Sequence, residues 1–160
     1  MERVQFRHAR PEDASRVLQI KQAAIEQIES SVYTDRQRAA WQPDDDAVSD
    51  FRSAIESEQF EILLAEQEEE TAGYGVLNTE RSRIDAVFVH PEFSNNGIAT
   101  SLLRQFESRA RMYGIDELKI VSSLNAKSFY ESQGYWDFGR ERRKIEGVEI
   151  EFAIMRKQFR

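Results

Sequence analysis

The sequence predicts an α/β (α+β) domain in which a sheet of about seven strands is flanked by about four helices. Three observations carry that expectation. Apolar residues repeat every second position in some segments and every third or fourth in others, in the order β-α-α-β-β-β-α-β-α-β-β. A strand-like run, Ile84 to Val89, passes through a Gly-containing loop straight into a helical pattern. No internal repeat, linker or low-complexity segment interrupts the 160 residues. Residues 1–160 therefore read as one domain, long enough to bury ~70% of its unfolded surface.

Each element has its own signal. Val4, Phe6 and His8 alternate in an opening strand. Pro11-Glu12-Asp13 begins a helix whose apolar stripe is Ala14, Val17, Leu18, Ala24, Ile25 and Ile28. Thr34-Asp35 suits the cap of a short second helix through Trp41; Pro43 to Asp46 interrupts it, and Ala47, Val48, Phe51 and Ile55 resume helical spacing. Phe60, Ile62 and Leu64 alternate in a strand, and Glu68-Glu69-Glu70-Thr71 is a solvated hairpin tip. In the next strand Gly73 and Gly75 mark close backbone approach or a bulge.

The run Ile84 to Val89 stops at Pro91, which cannot donate to a central ladder. Behind Gly97, apolar Ile98, Leu102, Phe106 and Ala110 have helical spacing. A short strand, Leu118 to Val121, leads to a further helix closed by Gly134. Tyr135 to Ile145 and Val148 to Met155 form a hairpin around Glu146-Gly147, and alternating Ile150, Phe152 and Ile154 bury one face of the last strand. That strand, Val148 to Arg156, is expected at an open edge of the sheet, where it invites pairing with a second copy into a homodimer.

Composition narrows the function. Without Cys there is no disulfide framework, zinc ribbon or cysteine nucleophile, and no metal is expected. No stretch approaches the ~20 apolar residues of a membrane span, and the N-terminus lacks a basic-then-apolar signal pattern, so the cytoplasm is the expected compartment. The net charge of −7, from 29 acidic and 22 basic residues, weighs against nucleic acid or an anionic membrane as partner. It favours cationic acceptors such as amines, mildly once salt screens the field. The same acidity also serves solubility or an adaptation to high salt.

The strand–loop–helix at 84–103 carries chemistry. Such a turn points unpaired backbone N–H groups at one spot, and the helix dipole adds partial positive charge, which suits a phosphate or pyrophosphate. Gly-x-x-x-x-Gly-Lys-Ser/Thr and Gly-x-Gly-x-x-Gly are both absent. What is present resembles the signature of the GNAT superfamily of N-acetyltransferases, Val-x-Pro-x-x-Arg/Gln-x-x-Gly-x-Gly/Ala, through Val89, Pro91, Gly97 and Ala99. The resemblance implies that acetyl-coenzyme A binds along Val87, Phe88 and Val89 and over Ser94, Asn95, Asn96, Gly97, Ile98, Ala99 and Thr100. Ser94 stands where the family has Arg or Gln, and Asn95 and Asn96 fill places that often carry a basic residue. Phosphate binding would then rest on backbone amides, the dipole and neutral donors. Taken alone, the loop also reads as an ordinary connection with a glycine for backbone freedom.

Residues 122–135 resemble the second signature of the same family, Asn-Ala-x-x-Phe-Tyr-x-x-x-Gly-Phe/Tyr, through Asn125, Ala126, Phe129, Tyr130, Gly134 and Tyr135. The resemblance covers essentially the whole chain. It implies a central mixed, mostly antiparallel twisted sheet, with Asn125, Lys127 and Phe129 beside the coenzyme. Phe129 also reads as simple packing. Asn125 at a helix start suits orphan N–H groups or a ligand amide.

An acetyl thioester is already activated, so the enzyme must orient an amine, deprotonate it and let the thiolate leave. Direct attack needs no protein nucleophile. The resemblance makes Tyr130 the general acid, the alternative being a packed Tyr bonded to a carbonyl. It makes Asp85 the candidate base, the alternatives being a strand-edge charge or a water relay; Arg83, two residues earlier, cannot accept a proton. Tyr33 to Trp41 resembles the Tyr-Ser-x-x-Gln-x-x-x-Trp stretch of a subgroup of small acetyltransferases. Tyr33 and Trp41 are candidates for an aromatic wall around the acceptor, or Trp41 anchors its helix on the sheet. The expected function is N-acetyl transfer from acetyl-coenzyme A to a primary amine of a small molecule or a peptide N-terminus. A coenzyme A-binding sensor without catalysis and a ligand-free interaction domain are the alternatives.

Overall fold

The computed structural model describes residues 3–159. The strands are β1 (Gln5–His8), β2 (Phe60–Gln67), β3 (Glu70–Asn78), β4 (Arg83–Val89), β5 (Glu117–Ser122), β6 (Trp136–Ile145) and β7 (Val148–Gln158). The helices are α1 (Ala14–Glu26), α2 (Asp35–Trp41), α3 (Ala47–Glu56), α4 (Ile98–Met112) and α5 (Lys127–Ser132). One seven-stranded sheet runs β1-β2-β3-β4-β5-β7-β6. β4 and β5 are parallel and every other neighbouring pair is antiparallel. This is the mixed, mostly antiparallel sheet the sequence implies.

Two expectations need correction. The segment read as one interrupted helix forms two, α2 and α3, so five helices flank the sheet. Thr34 caps α2 by accepting from the Gln37 N–H at 3.1 Å, and Pro43 in the connection cannot continue a helical ladder. The last strand is not an edge: β7 lies between β5 and β6, and β6 is outermost. Both faces of β7 are covered, by Ile150 and Phe152 on one side and Ala153 and Met155 on the other. A strand covered twice reads as a continuous apolar run rather than an alternating one.

The sheet separates two cores. Leu63, Ala65, Leu77 and Ile84 pack beneath Leu102, Phe106 and Ala110 of α4. Ile62, Leu64 and Tyr74 turn the other way, onto Val17 and Ile20 of α1 and Phe51 of α3. The period of two in β2 thus feeds both layers. Gly75 is required by the first: a Cβ there would overlap the Phe106 ring. At Gly73 a Cβ would lie 2.8 Å from the Phe88 carbonyl oxygen. These glycines serve close approach, as the sequence suggests.

Two irregularities in β4 position the site. Its ladder with β3 passes from Val76↔Ala86 to Leu77↔Ile84, leaving Asp85 as an extra residue. Such a bulge re-aims a side chain. On its other side β4 pairs with β5 only at Arg83↔Lys119 and Ile84↔Ile120. Beyond those residues the parallel strands part, and the sheet opens.

Candidate functional site

A cleft of about 490 Å³ lies where β4 and β5 separate. Asp85, Ala86, Val87 and Phe88 of β4 line it, with Val121 and Ser122 of β5 facing them. Tyr130 enters from α5; Lys21, Trp41 and Phe152 close the α1 side. His90 N–H donates to the Ala72 carbonyl of β3 at 2.8 Å. Amides alternate in direction along a strand, so those of Val87 and Val89 face the gap.

β4 delivers the chain to a tight loop and then to α4. The Glu92 N–H donates to His90 Nδ1 at 3.1 Å, fixing the first turn. Asn95 and Gly97 have φ of +65° and +76°, the left-handed region. The first intrahelical bond of α4 runs from Ser101 N–H to the Gly97 carbonyl at 3.0 Å. The N–H groups from Asn95 through Thr100 have no acceptor among the described residues. That row of donors, with the dipole of a 15-residue helix behind it, suits a pyrophosphate. The neutral side chains do not add to it. Ser94 Oγ donates back to the Pro91 carbonyl at 2.8 Å, and Asn96 Nδ2 donates to Gln67 Oε1 at 3.1 Å. Ile98 is buried in the core beneath the loop, while Ala99 and Thr100 are half-buried.

Tyr130 is 5% exposed, edge-on to Phe129 and Tyr135 at ring distances of 5.1 and 6.0 Å. Its hydroxyl has no hydrogen-bond partner among the described residues, and burial pushes its pKa well above the usual tyrosine value. The phenol therefore keeps its proton well beyond neutral pH. Asp85 is held from two sides. Arg83 Nε bonds Oδ1, and Asn78 Nδ2 donates to Oδ2 at 3.2 Å. Asn78 is itself fixed, accepting from the Arg81 N–H at 3.2 Å and from Gln59 Nε2 at 3.3 Å. Arg83 thus orients the carboxylate that the bulge turns into the cleft.

The aromatic wall differs from the pair named on sequence grounds. Trp41 stands against Phe152 and Phe88 at 5.2 and 6.0 Å, and all three line the cleft. Tyr33 does not. It is 2% exposed behind Trp41, at 5.9 Å. Its hydroxyl donates to the Glu151 carbonyl at 2.6 Å and accepts from the Leu124 N–H at 3.0 Å. Tyr33 therefore ties the α1–α2 connection to β7 and to the second motif, and supports the wall from outside.

In the second motif Asn125 is exposed on the turn Leu124–Ala126, and Ala126 lines the cleft. Lys127 Nζ meets Glu131 at 3.3 Å and Asp137 at 3.5 Å, so its charge is already paired. Phe129 packs half-buried against the α4 core. Val89 packs there too, beneath the loop.

Sequence reasoning missed Phe152, Arg143 and Lys21 as cleft residues. Lys21 had a legible signal: it falls at a helical step between Leu18 and Ala24, on the apolar stripe of α1, where a charge is out of place. Burial lowers its pKa below the usual lysine value, opposed by the field of Asp44.

The sheet splits between β4 and β5, a buried phenol and an oriented carboxylate line the cleft there, and the helix that follows β4 starts with free amides. Residues 29–159 match the family model of the acetyltransferase (GNAT) domain, and the chain belongs to that family of acyltransferase enzymes. It is 24% identical over 156 residues to the uncharacterized N-acetyltransferase YafP of Escherichia coli strain K12, covering 98% of this chain and 97% of that protein. The GCN5-related N-acetyltransferase of Rhodopseudomonas palustris superposes with a TM-score of 0.87 at 28% identity, covering 97% of this chain and 95% of that one. The PaiA N-acetyltransferase of Thermoplasma acidophilum, solved with coenzyme A, shares the fold at a TM-score of 0.79 and 17% identity, covering 98% of this chain and 99% of that one.

Proposed function

We propose that the protein transfers acetyl from acetyl-coenzyme A to a primary amine of a small molecule or a peptide N-terminus, in the cytoplasm, by direct attack. What supports this is the β4–β5 gap, whose cleft is lined by Tyr130 and Asp85, together with the unpartnered amides of residues 95–100 at the start of the helix that follows β4. Coenzyme A lies with its pyrophosphate over the N–H groups of Asn95 to Thr100 and its thioester along Val87 and Val89. Asn125 is the remaining neutral donor at the second motif.

The acceptor enters from the α1 side, past Trp41, Phe88 and Phe152. Asp85 takes a proton from the incoming ammonium, directly or through one water. The free amine forms the N–C bond, the C–S bond breaks and the departing thiolate takes the Tyr130 proton, while the proton lost by the acylated nitrogen returns to the phenolate through solvent. Burial keeps the phenol protonated, and so available as a donor, across the working pH range. The orientation of an already activated thioester supplies the rest.

Titration of acetyl-coenzyme A, followed by thiol release over a panel of amines, tests the reading. Binding with turnover is expected. Binding without turnover on any amine makes the protein a sensor, and no binding makes it an interaction domain. A homodimer through the C-terminal hairpin is part of the same proposal, now with β6 as its contact strand.

A further inference from the structure

Charge in the cleft is almost all accounted for. Asp85 is paired with Arg83, and Arg143, whose guanidinium carbon lies 5.7 Å from the Phe152 ring centre, is paired with Glu141. Asp44 is exposed and accepts from the Asp46 N–H at 2.9 Å, and Asp50 is exposed to water. Lys21 is different. Half-buried, it lines the cleft beside the buried stripe of α1, with neither an ion pair nor a hydrogen bond among the described residues. A half-buried ammonium, felt by the exposed Asp44 but bonded to no carboxylate among the described residues, is incompletely compensated, and a ligand that brings an anion gains by meeting it.

Placement gives the anion a direction. Lys21 belongs to the α1 face of the sheet, whereas Tyr130 belongs to the α4–α5 core on the opposite face, and the gap joins the two. An acceptor with its nitrogen at the gap therefore has its far end on the α1 side. There Trp41 and Phe88 offer apolar contact. We propose that Lys21 receives a carboxylate of the acceptor, so that the substrate class is an amine bearing a carboxylate, such as an amino acid with an apolar side chain. This rests on the acetyl-transfer reading above. Burial lowers the Lys21 pKa, and an anion bound beside it would offset that by favouring the ammonium.

The experiment compares amino acids with their decarboxylated amines, and phosphoethanolamine with ethanolamine, at matched free-amine concentrations, by thiol release from acetyl-coenzyme A. The carboxylate-bearing acceptors are expected to exceed their decarboxylated partners in kcat/KM by about tenfold or more, through KM, as for a charge pair formed away from solvent. Lys21→Met should bring that ratio to about one, and Lys21→Arg should keep most of it. Calorimetry with coenzyme A shows that each variant is folded; should the Met variant fail to fold, Lys21→Gln takes its place. No preference in the wild type, or one that survives both neutral variants, overturns the inference while leaving acetyl transfer intact. A preference for phosphoethanolamine over the carboxylates overturns the carboxylate assignment. Failure to acetylate any amine overturns both readings together.

Discussion

At Tyr130 burial does two things at once: it raises the pKa of the phenol and denies the hydroxyl a partner in the protein. Tyr130→Phe removes only the oxygen, so coenzyme A affinity should hold while turnover falls by ~10²–10⁴. Equal loss of both in paired calorimetry and thiol-release assays would mark a packing residue instead. The sign of the shift also matters. A raised pKa keeps the acid protonated through and beyond the ordinary tyrosine range of about 10, so no decline in kcat up to that pH should disappear in the Phe variant. Gly97 supplies a second test. No heavy atom lies within 4 Å of a Cβ built there, so Gly97→Glu fits the fold, at a cost of ~1 kcal/mol for the positive φ. Its carboxylate would meet the pyrophosphate, and calorimetry should show coenzyme A binding abolished. Their placement was legible: Tyr130 lines the cleft from α5, and Gly97 opens α4 at a positive φ. Tyr33 was not. Its aromatic type suits a wall or a buttress equally, and only the two hydrogen bonds of its hydroxyl decide.

At the scale of the element, β4 shapes the cleft. Its bulge presents Asp85, its free edge opens the gap, and its end launches the loop. Asp85→Asn keeps the hydrogen bond from Asn78 but cannot take a proton, so turnover should fall by ~10²-fold or more with acetyl-coenzyme A affinity retained. A fall in both would assign Asp85 to the architecture. The neighbouring strand is set by contact rather than chemistry. Gly75→Ala places a methyl against the Phe106 ring, and denaturant unfolding should register a loss of ~1–3 kcal/mol. Most of this was readable: alternation placed the strands, Pro11, Thr34 and Gly97 the helix starts, and Gly73 and Gly75 the close approach. The bulge was not, because Arg83-Ile84-Asp85-Ala86 carries no residue that marks an extra position. The position of β7 was not either, since chain order says nothing about which arm of a hairpin folds inward.

The molecule as a whole shows one long exposed strand. β6 leaves Trp136 and Phe138 at 42% and 55% exposure, with the Arg156 guanidinium carbon 3.6 Å from the Phe138 ring centre. If the hairpin mediates a dimer, Trp136→Glu with Phe138→Glu should reduce the mass seen by light scattering to that of one 18.7 kDa chain. A wild-type protein that already scatters as one chain would remove the dimer. Charges at Ile150 and Phe152 would instead strike the core, since both are buried. The narrow seam between β4 and β5 has a last consequence. Among the described residues β4 and β5 pair only at Arg83↔Lys119 and Ile84↔Ile120, with the Lys119 N–H also donating to the Ser82 carbonyl at 3.0 Å, so the sheet is two blades joined near one end. One core beneath α4 is shared by both blades, so amides along the seam, rather than whole blades, should exchange with deuterium sooner than those inside either blade. A nucleotide thioester lodged between them would act as a rivet, slowing exchange on both sides at once and raising the melting temperature with its concentration.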